Sequence, residues 1–357
     1  MRRALVLGAA SLAARLGLWH PARVAVQALL LLPALFPLAP LGPLGLMAMP
    51  AREARTDAYM AGTVDSVVFH PPFGGRHGAI VLLLGAGDLP RSDLAERFAE
   101  ALARLGIVTM LTESSGMLAE RLTFDEVDAI RVSLDALRAE PDLDPEHVGL
   151  VGLSASGGLA IVAAAQPDLR DQVRFVNSFG SYDDADSLVL DVGSRSLELN
   201  GQVLPWQPES RTLEVVGNSL DDAGVGASER GELLGGTTRQ RAAEIVDGFD
   251  DEVRGRLERV SPSAYLTQLH AHLYLMHDRD DSFIPFTESR DLVQQSPSGV
   301  VVRYTEFSIF AHVIPDRPVP WPRLGDGWGA ARAGTAGRAA RRAGRGGRTG
   351  RPGPARR

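Results

Sequence analysis

After residue 63 the spacing of apolar and polar positions changes repeatedly, and each change marks a predicted element. Residues 64–69 (VDSVVF) alternate well enough for an edge strand. Residues 79–84 (AIVLLL) are a continuous apolar run closed by Gly85-Ala86-Gly87, the pattern of a strand buried on both faces. Residues 92–105 (SDLAERFAEALARL) carry helical periodicity, with Asp93 and Glu96 in the early turns. A strand over 107–111 follows. A helix over 124–139 comes next, with Thr123 as N-cap and Glu126 three residues on as its capping-box partner. Residues 147–153 (HVGLVGL) read as a strand and 157–165 as an apolar helix. Strands over 173–178, 272–276 (HLYLM) and 300–304 (VVVRY) complete the set. Strands alternating with helices predict an α/β fold: a mostly parallel central sheet with helices on both faces.

Two stretches break the rhythm. Residues 181–263 show one helical segment, 238–246, and otherwise no comparable pattern. Their length exceeds that of a loop in a compact domain, so an inserted helical lid is expected. The first 55 residues form a separate leader. Arg2, Arg3, Arg15 and Arg23 precede a stretch, 24–51, without a charged side chain. It is long enough to cross a bilayer, although Pro33, Pro37, Pro40 and Pro43 interrupt it. The expectation is membrane association through residues 24–49, with the domain anchored or exported; a mispredicted start would leave it cytoplasmic. The α/β domain is expected over 56–316. Residues 317–357 form a tail rich in Arg, Gly, Pro and Ala, a composition that cannot bury a core.

Charge and composition remove several function classes. The 37 basic residues are all arginine, which excludes a lysine Schiff base and a P-loop lysine. No cysteine is present, so disulfides, thiol nucleophiles and thiolate metal sites are excluded. The net charge is −7, and nine arginines without an acid lie in 329–357, leaving −16 on the rest. An acidic body argues against nucleic acid as a partner. No histidine pair has helical ligand spacing, and neither a metal nor a cofactor is expected. Gly85-Ala86-Gly87 resembles the start of a dinucleotide-binding turn, but Pro90 stands where the third glycine belongs.

The chemistry gathers at three places. Gly152-Leu153-Ser154-Ala155-Ser156-Gly157-Gly158 lies at a strand-to-helix junction, where a sharp turn exposes the central serine and aims a helix N-terminus at it. Ser154 is the expected nucleophile. Ser156 replaces the usual second glycine and permits a shifted register in which it would be the nucleophile instead. Directly after the strand at 272–276 comes His277-Asp278-Arg279-Asp280-Asp281, where a carboxylate could orient an imidazole. Asp281 is preferred as acid, four residues past His277 and three before Ile284. Asp278 and Asp280 read as a charged surface turn. Of eight histidines only His312 lies beyond Asp281, satisfying the chain order serine, acid, histidine; it is the expected base.

These motifs resemble the α/β-hydrolase superfamily, in the branch of dienelactone-hydrolase-like and acyl-peptidase-like enzymes. The resemblance covers residues 63–313. It implies an oxyanion hole built from the backbone N–H groups of Ala155 and Ala86. Leu84-Gly85 stands where such enzymes usually have His-Gly, and the proline-rich run from Pro315 replaces their final helix, which suggests that the authentic carboxyl end was lost through a frameshift. The function implied is a serine hydrolase acting on a small-molecule ester of small or medium acyl size. A serine peptidase acting on amides, or an inactive scaffold of the same fold, are the alternatives.

Overall fold

The computed structural model describes residues 27, 30–31, 48–86, 93–310 and 312–313. The charge-poor leader, apart from a few positions, and the arginine-rich tail lie outside the described residues. Among those described, no helix is long and apolar enough to cross a membrane.

Eight strands form one sheet in the order β1-β2-β4-β3-β5-β6-β9-β10. They are β1 (Ala51–Tyr59), β2 (Gly62–His70), β3 (His77–Leu83), β4 (Val108–Ser114), β5 (Leu143–Leu153), β6 (Phe175–Phe179), β9 (His272–Asp278) and β10 (Val301–Phe307). β2 runs antiparallel to both β1 and β4, and every other pairing is parallel. This is the α/β-hydrolase fold.

The period of two along the strands divides the core. Val67 and Phe69 of β2, Leu82 of β3 and Leu111 of β4 pack on one face with Ala99 and Ala103 of α1 (Asp93–Arg104). Their neighbours Val68, Val81 and Met110 face the other side, against Val127, Ile130 and Leu134 of α3 (Glu126–Arg138) and the apolar helix α4 (Ala155–Ala164). The central parts of β2, β3 and β4 are therefore buried on both faces, which is why β3 reads as an apolar run. The short helix α2 (Ser115–Leu118) caps the end of β4, with the Ser114 hydroxyl accepting from the Met117 N–H.

Three local expectations are corrected. The strand over 64–69 is not an edge, because β1 pairs along its whole length, from Ala51 opposite His70 to Tyr59 opposite Gly62. The sheet thus begins at Ala51, ahead of the boundary at residue 56. β1 (AREARTDAY) carries alternating charges on an exposed strand and offers no apolar signal. The capping box also fails. Asp125, not Thr123, is the N-cap, and Glu126 turns inward to accept hydrogen bonds from Tyr59 Oη (3.0 Å) and the Ser114 hydroxyl.

Between β6 and β9 the chain builds five helices and a hairpin. They are α5 (Ala185–Ser194), the pair β7 (Ser196–Leu199) and β8 (Gln202–Pro205), α6 (Ser210–Ala223), α7 (Ala227–Gly235), α8 (Arg239–Asp247) and α9 (Asp251–Val260). The signals are local: Asp184, Thr238 and Asp250 cap three of the helices through their side chains, and Gly224 ends α6 in the left-handed conformation. A helix α10 (Phe286–Gln295) connects β9 to β10.

Candidate active site

The turn between β5 and α4 places Ser154 at φ 59°, ψ −137°. A non-glycine residue rarely holds such a conformation, and the cost is of order 1–3 kcal/mol unless the surroundings enforce it. Here they do. The Ser154 N–H donates to Phe179 O (2.8 Å) and its carbonyl accepts from Gly157 N (2.9 Å). The doubled backbone needs glycine at 152, where a Cβ would lie 2.5 Å from Ser156 O and 2.6 Å from Gly157 Cα. Gly85 is equally constrained, since a Cβ there would sit 2.8 Å from Ser154 Cβ.

Ser156 does not share the exposed position. It is 4% exposed, and its hydroxyl donates to Leu84 O at 2.5 Å, fastening the start of α4 to the loop after β3. Ala86, on that loop, and Ala155, the first residue of α4, both border the cavity beside Ser154.

Asp281 and His312, 31 residues apart, meet beyond the sheet edge. Asp281 is 3% exposed and His312 is 3% exposed. Asp281 Oδ1 accepts from the N–H groups of Phe283 (2.7 Å) and Ile284 (3.0 Å), while Oδ2 lies 2.6 Å from His312 Nδ1. Burial alone pushes this carboxyl up, but the charge and hydrogen bonds of His312 and His277 outweigh it and hold it well below the usual range. A carboxylate only accepts, so His312 carries its proton on Nδ1. No hydrogen-bond partner for its Nε2 is found among the described residues. The Phe283 ring stacks on the imidazole, with centroids 4.6 Å apart and planes 18° apart.

The structure also assigns places to residues the sequence pattern misread. Asp278 is fully buried rather than a surface turn. Its Oδ2 accepts from Ile309 N (2.8 Å) and Phe310 N (2.7 Å), and its Oδ1 accepts from Asp280 N (2.9 Å). It therefore ties the segment carrying His312 to the end of β9. Asp280 is exposed. His277 is also buried. Its Nε2 donates to Ile284 O (3.0 Å) and lies 3.3 Å from Asp281 Oδ2, while Nδ1 and the Ser289 hydroxyl are 2.7 Å apart. These contacts buttress the turn that carries Asp281. No sequence spacing announces either role, because the partners beyond the turn itself lie 7 to 32 residues away.

Ser154, Ala155, Ala86, Phe283 and His312 border one end of a cavity of about 770 Å³, counting its open mouth. The remaining wall comes mostly from apolar side chains of α5, α6 and α9. The Ser154 hydroxyl and the His312 imidazole, with a buried carboxylate behind it, border one apolar cavity without a hydrogen bond from Nε2 to Ser154, and these are the residue types that nucleophilic acyl transfer uses.

No protein-family model and no curated protein sequence matches the chain. Solved structures that it resembles include the acylaminoacyl peptidase of Pyrococcus horikoshii, at 16% identity and TM-score 0.48, with 72% of this chain and 36% of that one covered. Est1E from Butyrivibrio proteoclasticus shows 12% identity and TM-score 0.47, covering 74% and 91%. The hypothetical protein PA2218 from Pseudomonas aeruginosa shows 20% identity and TM-score 0.46, covering 78% and 92%. The chain spans 32% of a Bacteroides ovatus dipeptidyl aminopeptidase IV-type structure and 38% of a chloromethyl-ketone-bound acylaminoacyl peptidase. The fold class rests on the sheet order and on the turn at Ser154.

Proposed function

We propose that this protein is a serine hydrolase that cleaves carboxylic esters through an acyl-enzyme. One observation carries the reading: His312 Nδ1 lies 2.6 Å from a buried Asp281 carboxylate, and its Nε2 has no hydrogen-bond partner among the described residues at the cavity that His312 and Ser154 border. In this reading Ser154 Oγ attacks the ester carbonyl carbon while its proton passes to His312 Nε2. The tetrahedral oxyanion is met by the N–H groups of Ala155 and Ala86, each worth about 3–4 kcal/mol of barrier. The C–O bond breaks, and His312 returns the proton to the leaving alkoxide. Water then repeats the sequence on the acyl-enzyme and releases the acid.

The apolar cavity wall supports an ester of an apolar acid over a peptide, whose amides would need hydrogen-bonding partners along the wall. A panel of p-nitrophenyl esters and aminoacyl amides tests the reading on the whole protein. Ester turnover abolished by Ser154→Ala is expected. Amide turnover exceeding ester turnover would favour a peptidase, and a folded protein inert to both would point to a scaffold.

A further inference from the structure

The cavity behind Ser154 has a shape that selects its substrate. Along α6, Val215, Val216, Ser219 and Leu220 face it, at the i, i+1, i+4, i+5 spacing of one helical stripe. Leu188 and Val189 of α5 and Leu257 and Val260 of α9 close the other sides. Arg211 also borders the cavity, with its Nη1 3.2 Å from Glu120 Oε1 in an ion pair that makes no hydrogen bond. The cavity follows α6 from Thr212 to Leu220, about 12 Å of helix, which is longer than an acetyl group.

The cavity also has an end. Leu122, Ser219, Leu257 and Val260 border it on one side and a second cavity on the other. That outer cavity is charged: Arg121 pairs with Asp222 (2.7 Å), the Arg256 guanidinium donates to Asp222 O (2.8 Å), and Arg259 covers the Phe124 ring at 4.6 Å. The Ser219 hydroxyl accepts from Leu122 N (3.1 Å) and donates to Val215 O (2.7 Å), which locks the dividing wall in place. An apolar chain entering from Ser154 would run out of apolar surface at this wall.

We infer that the preferred substrates are esters of medium-length unbranched fatty acids, whose acyl chain lies between α5, α6 and α9 and whose maximum length is set by Leu122, Ser219, Leu257 and Val260. The inference rests on the ester-hydrolase reading and names the acyl group that this same site takes.

The test is kcat/KM across p-nitrophenyl esters from acetate to dodecanoate, in the whole protein and two variants. In the unaltered protein kcat/KM rises by about fourfold per methylene from acetate past butyrate, the factor that corresponds to ~0.8 kcal/mol per buried CH₂. It falls once the chain exceeds the wall. Val215→Phe fills the cavity short of the wall and shortens the optimum, lowering the octanoate-to-acetate ratio by about fifteenfold, two methylenes' worth. Leu257→Ala opens the wall and moves the optimum to longer chains. If Leu257→Ala does not fold, Val215→Phe alone still decides the matter, because Val215 is only half-buried. A profile that is highest at acetate overturns the inference while leaving the hydrolase standing, as does an optimum that Val215→Phe leaves in place. If no ester is turned over by the folded protein, the ester-hydrolase reading fails, and the acyl channel fails with it.

Discussion

The indole N–H of Trp206 donates to the backbone carbonyl of Asp281 at 2.8 Å, so the inserted segment grips the turn that carries this carboxylate. Two more bonds reinforce it: Glu209 N donates to Ser282 O (2.9 Å) and the Thr212 hydroxyl to Phe283 O (3.0 Å). The insertion between β6 and β9 thus serves as a fixed wall of the site as well as its roof. Replacing Trp206 by Phe keeps the apolar ring and removes only the donor. A fall in kcat of about fivefold to tenfold is expected, matching ~1 kcal/mol for one lost hydrogen bond. Steady-state kinetics on one ester, paired with a urea unfolding midpoint, checks it. An unchanged kcat would show that the insertion does not position the acid.

Asp278 should matter nearly as much as the residues that touch substrate. Asp278→Asn keeps the size but turns one acceptor oxygen into a donor facing the N–H groups of Ile309 and Phe310. The segment bearing His312 then loses its tether. The expected result is a loss of ester turnover of a hundredfold or more, with a fall in stability of about 2–3 kcal/mol. Asp280→Asn, on the exposed part of the same turn, is the control and should change little.

Ser156 offers a more selective test. Its hydroxyl reaches Leu84 O from the helix that follows Ser154, and so sets the distance between the two loops bearing Ala86 and Ala155. Ser156→Ala should lower kcat by about tenfold with KM nearly unchanged, as expected for an interaction felt in the transition state rather than in substrate binding. A rise in KM at constant kcat would contradict this.

At the start of the insertion and on α10 lies a set of buried or half-buried carboxyls whose ionisation opposes folding. Burial, and then the neighbouring charge of Asp184, pushes Asp183 up to about 7. Burial likewise lifts Asp186 and Asp191 to about 6 each, and raises Glu288 well above the usual range. Folded values above unfolded ones mean that the folded state binds more protons through the window from about pH 4 to 7. Stability should therefore decline as pH rises across that window. Asp281, whose folded value is depressed, acts only at lower pH and does not offset the trend. The urea midpoint at pH 5 is expected to exceed that at pH 8, and Asp183→Asn should narrow the gap. Equal midpoints at the two pH values would contradict the assignment.

Much of the site was legible because its residues mark the ends of strands, where apolar runs stop abruptly. Ser154 follows β5, Asp281 follows β9 and His312 follows β10, in the order that this architecture requires. What stayed hidden depends on contacts between distant segments. β1 is a charged strand, made so by pairing with β2 rather than by its own pattern. Glu126 had the spacing of a cap, yet Ser114 and Tyr59, far from it in sequence, drew it inward. Asp278 looked like one of three turn aspartates, because nothing near it shows that the Ile309 and Phe310 amides close on it. The helices of the insertion are short, nine to fourteen residues, and only α8, at the expected 238–246, was read from its own pattern.

A fluorophosphonate bearing a mass tag probes the central arrangement directly, because it phosphonylates only a serine whose proton can be removed. The account predicts one adduct per chain, located by mass spectrometry on Ser154, absent in Ser154→Ala and at least a hundredfold slower to form in His312→Gln. An adduct on Ser156, or a folded protein that takes up no label, would contradict it.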